Sequence, residues 1–72
     1  MATSQAMNAN YKFDWGQAVR VTTTAPENMH PGKVGSICGM REITDGRLYL
    51  VEFSDGEALE IPENLLEPIK DQ

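Results

Sequence analysis

His30 and Cys38 are the chain's only histidine and only cysteine. They are the first places to look for chemistry. A metal centre needs three or four ligands at workable spacing. Here one imidazole and one thiol stand eight positions apart with no further histidine or cysteine to join them. Nucleophilic catalysis would need the imidazole within hydrogen-bond reach of the thiol and a third group to orient it, and nothing in the spacing arranges that. The bland readings are therefore adopted. His30, next to Met29, is expected to be a solvent-exposed loop histidine. Cys38, between Ile37 and Gly39, is expected to be a buried, inert strand thiol. The carboxylates are numerous, but none lies in the apolar context that would tune it for acid–base work. "DGEALE" lacks the alternating oxygen ligands of a calcium loop. "PGKVGS" leads into a strand, so no helix N-terminus points at a phosphate. No catalytic residue, metal or cofactor is assigned, and the chain is not expected to be an enzyme.

Two features point to interaction instead. Net charge is −5, and it is unevenly spread. Residues 52–72 hold seven acids against Lys70, a balance of −6, whereas residues 1–51 hold four acids and five bases, +1. Glu52, Asp55, Glu57 and Glu60 fall on one expected hairpin, with Glu52 and Glu60 outward on paired strands. That is either a solvated face or a docking surface for a basic protein. The second feature is Leu48 and Leu50, which alternate away from Tyr49, Val51 and Phe53. They form an apolar patch for a partner or a self-dimer, or they lie covered by the 23–32 loop or the N-terminal aromatics. Trp15 joins them as a further residue for a partner to bury.

The elements follow from periodicity. Residues 1–10 are small, polar and aperiodic, and are expected to be a flexible tail. Tyr11, Phe13 and Trp15 have the period of a short extended segment. They form either a lid over the core or an exposed binding surface. "GQAVRVTT" is a strand with Val19 and Val21 inward and Ala18, Arg20 and Thr22 outward. "TTAPENMHPG" is a long loop, with Pro31-Gly32 suited to the centre of a type II turn. "KVGSICGM" is a glycine-interrupted strand with Val34 and Ile37 inward and the alternation broken between them. "REITDG" is a loop turning at Asp45-Gly46, "RLYLVEF" a strong strand, "SDGE" a hairpin turn, and "ALEIP" the return strand with Leu59 and Ile61 inward. "ENLL" is one 3-10 turn and "EPI" a short edge strand.

This order resembles the small bacterial Src-homology-3-like (SH3-like) barrels. It is similar to the C-terminal barrel of the nitrile hydratase β-subunit and to KOW and Tudor-like barrels. The carrying motifs are "GQAVRV" (16–21), "PGKVG" (31–35), "YLVEF" (49–53) and "LLEP" (65–68). The resemblance spans about residues 13–69 and implies an all-β, five-stranded antiparallel barrel over 11–70. The metal ligands of nitrile hydratase belong to its partner subunit, so the resemblance carries no ligand here. It implies at most an accessory or partner-binding module.

At 72 residues there is one domain with one thin core. Such a chain buries only about 60–65% of its unfolded surface, and its stability is on the order of 4–8 kcal/mol. A lone thiol rules out an internal disulfide and favours a reducing, cytoplasmic setting, and the resemblance implies a bacterial one. No basic-then-apolar start suggests a secretory signal, and no apolar run reaches the ~20 residues of a membrane span. The expected function is a non-enzymatic protein-interaction module, monomeric or weakly dimeric, that binds a basic protein through its acidic hairpin. The alternatives are an immunity protein or antitoxin, an accessory subunit of a larger enzyme, and a KOW-like nucleic-acid binder using Arg20, Lys33, Arg41 and Arg47. The net field disfavours the last.

Overall fold

The computed structural model describes residues 11–69. The tail expected at 1–10 lies outside the described residues. Five strands follow in chain order: β1 (Ala18–Val21), β2 (Val34–Ile43), β3 (Gly46–Phe53), β4 (Ala58–Pro62) and β5 (Leu66–Pro68). All pairings are antiparallel, in the order β4-β3-β2-β1-β5. The sheet ends at β4 on one side and β5 on the other, without closing on itself. The all-β, five-stranded expectation holds, and closure into a barrel is not found. The outer strands are only five and three residues long. They offer little ladder with which to meet.

The core lies on one face. Val19 and Val21 of β1, Ile37 of β2, Tyr49, Val51 and Phe53 of β3, and Ile61 of β4 are buried, with Phe13, Ala25 and Leu66 completing the cluster. Strict alternation in β1 and β3 put these residues on one side. Leu59, Met29 and Tyr11 are half-buried against the same cluster. Of the N-terminal aromatics, Phe13 and Tyr11 cover the core, while Trp15 is 67% exposed.

β2 departs from its expected pattern. Ile37 pairs with Val51 and Gly39 with Leu50, so Cys38 is the extra residue of a β-bulge. The alternation breaks there and not before Ile37. Gly35 and Ile37 therefore face inward together, and Val34 faces outward, 48% exposed. Gly35 takes the inward place because β3 fills it. A Cβ at residue 35 would stand 2.6 Å from the Glu52 carbonyl oxygen and 2.7 Å from Val51 Cγ1.

The turns are compact. Lys33 N–H donates to the His30 carbonyl at 3.1 Å, with Gly32 at φ +85°, as the Pro31-Gly32 reading required. Two 3-10 turns occur among the described residues, Glu63–Leu65 as expected and Glu27–Met29 inside the long loop. Three residues after Pro26 are too few to show a period. β2 runs on to Ile43, which pairs with Gly46, so the tight turn is Thr44-Asp45 and "REI" is strand.

Candidate functional site

The face opposite the core carries Leu48, Leu50, Glu52 and Glu60 of the residues singled out for binding, while Asp55 and Glu57 lie in the turn between β3 and β4 and Trp15 in a turn before β1. Residues opposite one another in an antiparallel ladder share a face, and the register gives its rows. Ala18, Ser36, Glu52 and Ala58 form one row across four strands. Arg20 stands between Val34 and Glu67 in the next row on one side. Gly39, Leu50 and Glu60 form the row on the other side, followed by Arg41, Leu48 and Pro62.

The acidic residues of the hairpin are not equivalent. Glu60 is held by Arg41 through two bonds, Nε to Oε2 at 2.8 Å and NH2 to Oε1 at 2.9 Å. This bidentate contact is the strong geometry for a guanidinium and a carboxylate. It lowers the Glu60 carboxyl below its ordinary range, first through the hydrogen bond. Glu57 Oε1 lies 2.9 Å from His30 Nε2. Asp55 accepts the Glu57 N–H at 3.0 Å and so closes the hairpin turn. Glu52 is exposed, with no cation within 4.0 Å among the described residues. Glu52 and Glu60 are not cross-strand partners, because Glu52 faces Ala58 and Glu60 faces Leu50.

The Arg41–Glu60 pair also decides what becomes of the leucines. Arg41 sits beside Leu48 on β2, and Glu60 beside Leu50 on β4, so their contact passes over the outer face of β3. The arginine stem shields apolar surface there. Leu50 additionally lies against Gly39, where a Cβ would come within 3.2 Å of Leu50 Cβ. Both leucines are half-buried. The large exposed apolar groups are instead Trp15, Val34 and, less so, Ile43. Trp15 sits in a turn braced by Gly16 N–H to the Ile37 carbonyl at 2.7 Å, which places it beside the β2 bulge.

A polar clamp closes one end of the core. The Tyr49 hydroxyl donates to Glu63 Oε2 at 2.6 Å and accepts the N–H groups of Lys12 and Phe13 at 2.9 and 3.3 Å. Burial, and then the bond to the Glu63 carboxylate, raise the Tyr49 hydroxyl above its ordinary value of 10.0. Arg47 reaches both Glu63 at 3.6 Å and Glu42 at 3.7 Å, with its guanidinium over the Tyr11 ring. A shallow depression of ≈ 330 Å³ lies beside it, lined by Ile43, Asp45, Pro62 and Asn64 among others. Sequence reasoning missed this clamp, because an inward Tyr49 gives no sign of which carboxylate will meet its hydroxyl.

His30 and Cys38 both differ from expectation. His30 adopts φ +59° and lies edge-on against Phe53 at 5.3 Å, so it is half-buried. Cys38, displaced by the bulge, is half-buried. The two do not form a hydrogen bond, and among the described residues no group of three or more His, Cys, Asp or Glu is placed to hold a metal. Of the four residues considered for nucleic acid, Arg20, Arg41 and Arg47 each lie within 4.0 Å of a glutamate. Among the described residues, only Lys33 of the four has no such partner.

The fold has a likeness among solved structures. The chain is similar to "Solution structure of the cyanobacterial cytochrome b6f complex subunit PetP", with 28% identity, 81% of each chain covered and a TM-score of 0.65. No protein-family model and no curated protein matches the chain. PetP is a small β-protein that serves as a subunit of a larger complex. The likeness fits a protein-interaction or accessory-subunit role. Among the described residues, no helix is long and apolar enough to cross a membrane.

Proposed function

We propose that this chain is a non-catalytic accessory subunit that docks on a larger protein assembly of the cytochrome b6f kind. The observation that carries the reading is the likeness to PetP over four-fifths of both chains at 28% identity. The surface supports it. Trp15 and Val34 are exposed apolar groups of the type that a partner buries, and the acidic C-terminal third steers a basic partner toward the sheet. The ion pairs of Arg20, Arg41 and Arg47 leave little free positive charge for a phosphate backbone.

The finer readings belong to the same proposal. We read the sheet as an open form of the Src-homology-3-like architecture, an assignment supported by β5 pairing with β1 at the end of the order. Glu52, Asp55, Glu57, Glu60, Leu48, Leu50 and Trp15 are read as the docking set, with Leu48 and Leu50 in a secondary place because the Arg41–Glu60 pair crosses them. A cytoplasmic, bacterial setting goes with it. The test is to tag the chain in its source cell, purify it under mild detergent, and identify what comes with it. Cytochrome b6f polypeptides in near-equal amount are expected. A chain that purifies alone, or with a basic toxin, overturns the reading.

A further inference from the structure

We infer that Glu52 is the centre of the docking face and receives a lysine or arginine side chain from the larger partner, with Val34 packing beside it. This rests on the accessory-subunit reading and names the contact through which it acts. The argument begins with charge pairing on the outer face. Arg20 lies 3.9 Å from Glu67, and Arg41 is bidentate to Glu60. Glu52 has no such cation within 4.0 Å among the described residues, although it stands in a row between these two pairs. Its lateral neighbours are Ser36 and Ala58, and Ala18 continues the row. These side chains are short. They leave the carboxylate standing above a low bed, with exposed Val34 at its margin.

The geometry has consequences for the partner. The row spans four strands, about 14 Å at the usual strand spacing, which is wide enough for one extended segment or loop. A segment that lies there covers Ala18, Ala58 and Val34 and removes water from Glu52. An unpaired carboxylate loses solvation under such a cover, so the face accepts a partner that presents a cation and rejects one that does not. The closed pairs on either side make little demand on the partner, because each acid there already has its base.

The test titrates the purified full chain against solubilised cytochrome b6f complex from the source organism. Wild type is compared with Glu52→Gln, Ala58→Lys and Glu27→Gln. Glu52 is exposed and its side chain makes no hydrogen bond or ion pair among the described residues, so its substitution leaves the sheet intact, and circular dichroism checks this. Glu52→Gln is expected to raise Kd about 30-fold or more, the usual effect of removing one partner of a covered charge pair. Ala58→Lys places an internal cation opposite Glu52 and weakens binding too. Glu27→Gln changes net charge by the same amount at an exposed loop position and is expected to stay within about twofold. Equal, small losses at Glu52 and Glu27 overturn the inference and leave the subunit reading standing, since charge would then act only as a diffuse field. No binding by the wild-type chain overturns the subunit reading, and the inference with it.

Discussion

The phenol of Tyr49 does more than fill the core. Its ring is fully buried, and its oxygen joins β3 to the second 3-10 turn and to the backbone of residues 12 and 13. Removing the hydroxyl leaves the buried Phe13 N–H and the partly buried Glu63 carboxylate without this partner, which costs about 1 kcal/mol. Tyr49→Phe is therefore expected to lower the melting temperature by about 4 °C or more in a domain of this size, as read by a thermal scan. The same hydroxyl predicts a pH dependence. Its folded pKa is raised above the ordinary 10.0, by burial first and then by the Glu63 carboxylate. The stability it contributes is complete below the ordinary value and is lost as pH rises through the raised one. Wild type is expected to lose stability in that alkaline range, and Tyr49→Phe to lose less of it. Glu60 works in the opposite sense. Arg41 lowers its carboxyl, so its contribution is present above the ordinary 4.5 and is lost as pH falls through the lowered value. Glu60→Gln is expected to flatten the acid limb of a stability–pH curve only slightly, because the pair is exposed. The sequence showed that Glu60 points outward. It gave no sign that Arg41, nineteen positions earlier, would hold it.

At the scale of elements, alternation in β1 and β3 was readable because Val19, Val21, Tyr49, Val51 and Phe53 repeat without a break. The interruption in β2 was readable too, since Gly35 and Gly39 mark it. Its position was not. Hydrophobicity favours Val34 inward, but the inward place at 35 has room for no side chain at all, and that constraint comes from β3. The order of strands in space, and with it the partners of Glu52, depends on contacts far apart in the chain that local pattern does not encode. Gly35→Ala tests the account of this element. The added methyl meets the Glu52 carbonyl and the Val51 side chain inside 3.0 Å, and backbone has to move. Overpacking of this kind costs about 1–3 kcal/mol, so urea unfolding is expected to show a lower midpoint. An unchanged midpoint would mean that β2 and β3 do not approach so closely. The same substitution also shifts Glu52, so it is expected to weaken partner binding as well as stability.

The whole molecule combines an open sheet, one apolar face committed to the core, and an outer face on which most charge is already paired. The uneven charge of the sequence lies in the C-terminal third, but it overstated how much of that acidity is free. Glu57, Glu60, Glu63 and Glu67 each lie against a basic side chain or the His30 ring. Long-range steering still follows from net charge. Association with the partner is expected to slow as ionic strength rises, as stopped-flow mixing would show, because the Debye length falls from about 10 Å at 0.1 M to about 3 Å at 1 M salt. The docking face can be mapped residue by residue in solution. Amide resonances of the isotope-labelled chain would be followed while solubilised cytochrome b6f complex is added. Early loss of intensity is expected at Ala18, Val34, Ser36, Glu52 and Ala58 and at the Trp15 turn, with the core-facing residues of β3 affected last. Loss confined to the Glu63–Leu65 turn and the depression beside it, or none at saturating complex, would contradict this expectation.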